Sequence, residues 1–230
     1  MLLKIHGRTL LEHLIDRVKL AQVDCIVLCT SANPEDDPLE ELASDNGIDC
    51  FRGSEDDVLE RYEIAAAKFH VDFAIITWGD EVFCDPSYID SIVRLASAQQ
   101  PPPDLAVSDS LPEGTYTYGV NIDALHGVVQ TKSSANTEVW RKYFEKNPNY
   151  KIATLPIKPE HQRKDLRLTC DYPEDFQLIS AIFDGLYKGK NDFTLDEIIA
   201  FLDSRPDLRK LNLFRQKEYE ARISSQSVWE

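Results

Sequence analysis

The clearest indication of the fold is the stretch Phe73-Ala74-Ile75-Ile76-Thr77-Trp78-Gly79-Asp80-Glu81. It begins with a short apolar run, which is typical of a strand that is buried on both faces. A Gly-Asp-Glu turn follows the run directly, so these polar residues lie at the carboxyl end of the strand. Ligand sites collect at that edge in open α/β sheets. The stretch therefore predicts an α/β fold with a candidate site at Asp80.

Helix and strand patterns alternate on both sides of this stretch. Thr9-Leu10-Leu11-Glu12 is a capping box, and other apolar runs and helical spacings predict further elements. The predicted strands are 25–30, 48–51 and 73–77, and the predicted helices start at Thr9, run from Asp37 to Gly47, and cover 57–69 and 86–98. This βαβα order favours a parallel sheet with right-handed crossovers.

The three prolines at 101–103 mark the sharpest break in the chain. The section after them, about 104–160, mixes its elements differently, and we interpret it as an embedded α+β section that is the candidate dimer interface. Later predicted strands are 105–108, 116–121, 151–155 and 166–170, and later predicted helices are 122–129, 137–146, 173–187 and one from Thr194 to before Pro206. We find no repeats, and we predict a single domain over 1–230.

The charge balance restricts the partners. The chain has 25 Lys and Arg against 40 Asp and Glu, a net charge of −15. Such a surface repels polyanions, so we expect neither a nucleic acid nor an anionic membrane as partner. A small anionic ligand is compatible with this charge where Mg²⁺ reverses the local field. No apolar run reaches the roughly 18 residues of a membrane span. The five Cys lack paired spacing, which favours reduced thiols and a cytoplasmic location.

Two aspartates that follow predicted strands are the candidate metal ligands. Asp80 follows the run quoted above, and Asp171 follows 166–170. Mg²⁺ takes one or two protein carboxylates together with phosphate oxygens, so carboxylates at strand ends suit it. Each aspartate also has a structural interpretation. Asp80 can belong to a solvated acidic turn, and Asp171 with Glu174 can form a D-x-x-E capping box.

The turn before the third predicted helix is the candidate nucleotide site. It contains Ser54, Glu55 and Asp56 after Gly53. Backbone N–H groups at a helix N-terminus can hold a ribose or a base edge, whereas successive carboxylates repel a phosphate. The structural alternative is that these residues only cap the helix that begins at Val58.

Five stretches carry a recognisable set of motifs. They are Gly7-Arg8-Thr9-Leu10-Leu11-Glu12-His13, Thr30-Ser31 with Asn33-Pro34-Glu35-Asp36-Asp37-Pro38, Phe51-Arg52-Gly53-Ser54-Glu55-Asp56-Asp57-Val58-Leu59, Gly79-Asp80, and Asp171-Tyr172-Pro173-Glu174-Asp175. In this order they resemble the cytidylyltransferase family that includes spore coat polysaccharide biosynthesis protein F. That family is related to CMP-Kdo and CMP-sialic acid synthetases.

The resemblance implies a nucleotide-diphospho-sugar transferase fold of Rossmann-like type, with a mixed, mainly parallel sheet between helices. It also implies that a sugar hydroxyl attacks the α-phosphate of CTP and that pyrophosphate leaves. Mg²⁺ would be held by Asp80 and Asp171. We therefore expect CTP and a sugar as partners, a role in surface or spore-coat polysaccharide biosynthesis, and a homodimer.

The chain departs from this family at its start. Relatives begin with a strand and a glycine/arginine/lysine loop that wraps the triphosphate, and the equivalent of that segment lies upstream of Met1. We therefore expect the sheet to lack its first strand. Two further readings are a self-associating scaffold without catalysis and an intact enzyme with a mis-assigned start. A glycosyltransferase of the same fold is a further alternative, although Asp80-Glu81-Val82 lacks the second Asp of an Asp-x-Asp motif.

Overall fold

The computed structural model describes residues 1–226, so the last four residues of the predicted domain, 227–230, lie outside the described part. The strands are β1 (Lys4–Ile5), β2 (Arg8–Thr9), β3 (Val27–Ser31), β4 (Asp49–Gly53), β5 (Phe73–Ile76), β6 (Leu105–Val107), β7 (Tyr118–Asn121) and β8 (Ile152–Thr154). The helices are α1 (Leu10–Val18), α2 (Asp37–Asp45), α3 (Val58–Phe69), α4 (Pro86–Ser97), α5 (Ile122–Thr131), α6 (Arg141–Glu145), α7 (Pro173–Leu186), α8 (Leu195–Ser204), α9 (Pro206–Arg209) and α10 (Gln216–Gln226).

The strands combine parallel and antiparallel pairing. β3 and β4 pair in parallel, from Val27 opposite Asp49 to Ser31 opposite Gly53. A four-stranded sheet has the order β5-β7-β6-β8, with antiparallel pairing at β5–β7 and β7–β6 and parallel pairing at β6–β8. β1 and β2 form a short antiparallel hairpin. The predicted α/β class, with a mixed sheet between helices, is confirmed.

The sheet is interrupted between β3 and β5, which do not pair with each other in the described part of the chain. The two strands nevertheless share neighbours on both faces. Leu28 of β3 and Ile75 of β5 pack on one apolar cluster built largely from α1. On the other face, α3 contacts β3, and its Leu59 lies in one cluster with Ile76 of β5.

Period-two alternation along β6 divides the main core into two clusters. Ala106 lies in the cluster that includes residues of α4, α7 and α8. Leu105 and Val107 point to the opposite face, where they pack with residues of α3, α5 and α6. Because side chains alternate between the faces of a strand, three consecutive residues are buried in two layers. Both faces of this sheet are therefore covered by helices.

The predicted helix starts are correct where the capping residues lie close together in the sequence. The Thr9 hydroxyl accepts a hydrogen bond from the Glu12 backbone N–H at 3.1 Å, and the Glu12 carboxylate accepts one from Thr9 N–H at 2.7 Å. Thr194 and Glu197 make the same reciprocal pair at 3.2 and 2.7 Å. Such boxes satisfy backbone donors that have no partner inside the helix. Both predicted boxes are confirmed.

The segment 166–170 is not a strand, contrary to the prediction. Arg167 forms an isolated bridge with Glu113. Gly114 approaches this segment so closely that a Cβ on it would lie 2.0 Å from the Thr169 backbone nitrogen. Its φ of +85° turns the chain away after the bridge, so no ladder forms. The apolar pattern of the segment reflects burial rather than strand pairing.

The helix predicted over 137–146 is also shorter than expected, because α6 begins at Arg141. Thr137 is buried, and its hydroxyl donates to Asp57 at 3.0 Å and accepts from the Leu59 N–H at 3.0 Å. Because these bonds hold Thr137 at the start of α3, it is not part of the helix that was predicted to begin there.

The charged tail beyond Leu208 contains a helix that the sequence did not predict, α10. Among residues 1–226, no helix is both long enough and apolar enough to cross a bilayer.

Candidate functional site

The turn after β5 presents Asp80. Glu81 closes this turn, since its N–H donates to the Trp78 carbonyl at 3.1 Å and its carboxylate accepts from the Trp78 N–H at 3.0 Å. Glu81 is buried, and burial raises its pKa well above the usual value. Glu81 therefore stabilises the turn, and the Asp80 side chain bonds Thr169 of a distant segment.

The start of α7 presents Asp171. The fully buried Asp175 carboxylate accepts from the N–H groups of Asp171 and Tyr172, each at 3.0 Å. Glu174 instead pairs with Arg215 at 2.9 Å. The predicted Asp171–Glu174 capping box is therefore wrong, because Asp175 provides the capping carboxylate. This arrangement leaves the Asp171 side chain available for other contacts.

The two predicted metal ligands meet at one hydroxyl group. Thr169 Oγ1 donates to Asp80 Oδ2 at 2.8 Å and lies 3.4 Å from Asp171 Oδ2. Burial raises the pKa of Asp80 and the charge of Asp171 raises it further, while the Thr169 hydrogen bond lowers it. The structure therefore brings together two carboxylates that lie far apart in the chain, with their repulsion only partly offset.

Two arginines occupy the oxygens of Asp171. Arg167 Nη2 lies 2.7 Å from Oδ2, and Arg222 Nη2 of α10 lies 2.7 Å from Oδ1. The Arg167 side chain is 1% exposed and also pairs with Asp175 at 3.0 Å, whereas the Arg222 side chain is 46% exposed. Arg167 is therefore a fixed part of the site, and Arg222 reaches it from the surface.

The donor set fits a hard divalent cation. Asp80, Asp171 and Thr169 offer only oxygen atoms, the ligands that Mg²⁺ prefers. Within residues 1–226, no group of three or more His, Cys, Asp or Glu side chains could hold a metal. A pair of carboxylates without a third such ligand suits Mg²⁺, which usually keeps waters and binds substrate phosphates as well. The residues therefore fit Mg²⁺, provided that one oxygen of Asp171 is freed.

The predicted nucleotide residues lie in the turn between β4 and α3, and each makes a different contact. The Ser54 carbonyl accepts from Arg61 at 2.7 Å, and Glu55 accepts from the Asn33 amide at 2.6 Å. The Asp56 carbonyl accepts from a backbone N–H at 3.0 Å. The next residue is the N-cap of α3, so the capping interpretation is confirmed for that position, and Glu55 is the predicted residue that lines a cleft.

Glu55 lines a cleft of about 250 Å³ at the carboxyl end of β3. The lining residues are Cys29, Thr30, Ser31, Asn33, Glu35, Asp36, Glu55 and Arg61. Asp36 accepts from the hydroxyls of Ser31 and Thr30 at 2.6 and 2.7 Å, and these bonds hold its pKa below the usual value. A cleft with three carboxylates and two hydroxyls suits a ligand that donates hydrogen bonds better than it suits a phosphate.

Tyr62 of α3 packs in one apolar cluster with Trp78, which precedes the Asp80 turn. Burial is the main reason that the pKa of Tyr62 is raised to about 12.

The sequence did not reveal Thr169, Arg167 or α10 as parts of the site. Thr169 is 89 residues away from Asp80 along the chain. A threonine or an arginine before an Asp has no spacing that marks it as functional. Only the convergence of three segments in space identifies them.

An α/β sheet between helices, with polar residues gathered beyond its strand ends, is the Rossmann-like architecture in which ligands bind at that edge. Residues 1–218 match the family model described as cytidylyltransferase, and the chain belongs to this family.

Two relatives align over most of their length. The chain is 30% identical over 226 residues to "Uncharacterized protein MJ1063" of Methanocaldococcus jannaschii, covering 95% of this chain and 90% of that protein. It is 27% identical over 206 residues to spore coat polysaccharide biosynthesis protein SpsF of Bacillus subtilis, covering 86% of this chain and 85% of that protein.

Solved structures show the same fold. A cytidylyltransferase from Leptospira borgpetersenii superposes with a TM-score of 0.85 at 22% identity, covering 91% of this chain and 89% of that one. A CMP:2-keto-3-deoxy-manno-octonic acid synthetase in complex with CTP superposes with a TM-score of 0.61 at 14% identity, covering 80% of this chain and 91% of that one. The nucleotide-sugar transferase fold is thereby confirmed.

Proposed function

We propose that this protein transfers a cytidylyl group from CTP to a sugar hydroxyl, with Mg²⁺ at Asp80 and Asp171, in the biosynthesis of a surface or spore-coat polysaccharide. One observation carries the proposal: the hydroxyl of Thr169 lies within hydrogen-bonding distance of both carboxylates. The cytidylyltransferase family supports CTP as the nucleotide, and the similarity to a spore coat polysaccharide biosynthesis protein supports the class of pathway. A cytoplasmic location and a homodimer through about 104–160 belong to the same proposal and stay predictions.

In this reaction a sugar oxygen forms a bond to the α-phosphorus of CTP, and the bond from that phosphorus to pyrophosphate breaks. Mg²⁺ would neutralise the negative charge that develops on the phosphate oxygens. The protein's own groups position the site. Asp175 and Arg167 fix the Asp171 turn, and Thr169 orients Asp80 toward it. Because such transfers depend mainly on positioning and charge neutralisation, no covalent protein intermediate is needed.

The nucleoside end of CTP is assigned to the turn at Ser54, Glu55 and Asp56. The Glu55 carboxylate and the hydroxyls at the end of β3 accept hydrogen bonds, as ribose hydroxyls and the cytosine amino group require. The phosphates would extend away from these carboxylates toward the metal site.

The test is the melting temperature of the protein with CTP and Mg²⁺ together, with each alone, and with ATP and Mg²⁺. A ligand at 100 times its Kd stabilises the native state by about 2.7 kcal/mol. We expect a shift that needs both CTP and Mg²⁺ and that Asp80→Asn abolishes. Asp207→Asn is the matched control, because Asp207 is a 63% exposed partner of Arg205. A parent protein that shows no shift at millimolar CTP and Mg²⁺ contradicts the proposal.

A self-associating scaffold without catalysis is the second candidate. Arginines on both oxygens of Asp171 favour it, since a structural ion-pair network needs no metal. That protein would ignore CTP and form a stable oligomer in light scattering. A monomer that binds CTP with Mg²⁺ excludes it.

A further inference from the structure

Helix α10 lies across the carboxylate pair through one row of polar side chains. Gln216, Tyr219 and Arg222 are spaced three residues apart and so share one side of the helix. Gln216 Oε1 accepts from Arg167 at 3.1 Å, and the Arg167 guanidinium lies 4.9 Å from the Tyr219 ring centre. Arg222 donates to Asp171 at 2.7 Å. The first two turns of α10 therefore contact the site or the residue that supports it.

The attachment of α10 is polar rather than apolar. None of residues 216–222 is more than partly buried, and none belongs to the three apolar clusters. Partial burial raises the pKa of Tyr219, and the carboxyl groups of Glu113, Asp171 and Asp80 act in the same direction. A helix held by polar contacts at a solvent boundary detaches at low cost compared with a helix anchored in a core.

Charge decides which arginine can leave Asp171. A divalent cation needs at least one oxygen of this carboxylate, and both carry a guanidinium. Arg167 is buried and bonds Asp175 through two nitrogen atoms, so its displacement would leave a buried charge without its partners. Arg222 is nearly half exposed and can move into water together with the end of α10.

We infer that α10 is an autoinhibitory strap, in which Arg222 occupies Asp171 until a divalent cation displaces it and releases the helix. This inference rests on the proposed metal site at Asp80 and Asp171. The cation and Arg222 then exclude each other, so metal binding opens the face of the site that α10 covers. Asp171 therefore has a positive charge beside it in both states: Arg222 provides this charge without metal, and the cation provides it when metal is bound.

The first test is Mn²⁺ binding to the protein alone, measured from the electron paramagnetic resonance signal of free Mn²⁺. Arg222→Gln removes the competing cation, and a partly exposed ion pair of ordinary strength predicts binding about 2- to 5-fold tighter than in the parent. Arg222→Lys keeps the charge and should stay close to the parent. Arg205→Gln is the matched control, since Arg205 is a 49% exposed arginine paired with Asp207 at 2.9 Å.

Asp80→Asn separates the two claims. If this variant loses Mn²⁺ binding while Arg222→Gln binds no tighter than the parent, the strap is refuted and the metal site stands. If Asp80→Asn binds like the parent, the metal site is refuted and the strap with it.

The second test reads the helix directly, as the rate of chymotrypsin cleavage after Tyr219 followed by mass spectrometry. We expect Mn²⁺ to accelerate this cleavage in the parent, and Arg222→Gln to be cleaved fast without metal. Cleavage after Phe214, which is 57% exposed and precedes α10, serves as the internal control and should not respond to metal. A Tyr219 cleavage rate that neither Mn²⁺ nor the substitution changes overturns the inference.

Discussion

Thr169→Val removes the hydroxyl between the two carboxylates and keeps the shape of the side chain. Thr169 is 3% exposed, so valine fills the same space, but Asp80 loses a hydrogen bond of 2.8 Å. A hydrogen bond to a charged group contributes about 1.5–3 kcal/mol. Because water reaches part of this site, we take the lower half of that range. We expect Mn²⁺ binding to weaken about 10- to 40-fold, because about 1.5–2.2 kcal/mol is lost and each 1.4 kcal/mol is a factor of ten.

The same substitution should destabilise the fold modestly. A loss of about 1.5 kcal/mol, the lower end of that range, lowers Tm by about 3–6 °C in a chain of this size. Thr117→Val is the matched control: Thr117 is also buried, and within the described chain its hydroxyl has no hydrogen-bond partner. Titration of Mn²⁺ and calorimetry on both variants give the comparison. Parent-like Mn²⁺ affinity in Thr169→Val would refute the role of the hydroxyl.

Three further predictions concern the rest of the fold. The pKa of Asp36 is lowered in the folded state, so the ionised Asp36 stabilises the fold fully above its unfolded pKa, and this contribution is lost as pH falls through its folded pKa. In Asp36→Asn, the free energy of unfolding from urea denaturation should therefore decrease less steeply toward acid pH. Asp57→Asn leaves Lys132 buried without its charge partner, which costs about 3 kcal/mol, and adding Lys132→Met should recover much of that loss in the same denaturation assay. Burial raises the pKa of Cys84 to about 12, so at pH 8 a thiol reagent should label the exposed Cys25 at once and Cys84 only after unfolding.

Local chemistry explains which parts of the fold the sequence predicts. The boxes at Thr9 and Thr194 depend on residues three positions apart, so both helix starts are correct. The segment 166–170 looks like a strand because it is apolar, yet its pairing is limited by the close approach of Gly114, which no local pattern reports. Helix α10 is charged and lacks an apolar stripe, so its presence depends on distant partners.

In the candidate site, too, local features could be predicted from the sequence and long-range contacts could not. Asp80 and Asp171 could be found because each follows an apolar run, a position that depends only on the chain nearby. Their convergence depends on Thr169 and Arg167, and on a helix from the far end of the chain. A sequence pattern can identify carboxylates as candidate ligands, but it does not show whether an arginine or a metal ion neutralises them.

The electrostatics of Asp80 argue for a ligand rather than for a purely structural role. Asp175, a structural carboxylate, is fully buried with an arginine and an asparagine bonded to it. Asp80 has one hydroxyl donor, an acidic neighbour and a raised pKa, and within residues 1–226 no cation pairs with it. A carboxylate held charged at neutral pH under these conditions destabilises the folded state. Charged side chains with a raised pKa that destabilise the folded protein are typical of functional sites, where activity is retained at a cost in stability. Asp80→Asn should therefore raise Tm without ligand even as it removes metal binding, and a lowered Tm would show that Asp80 is structural instead.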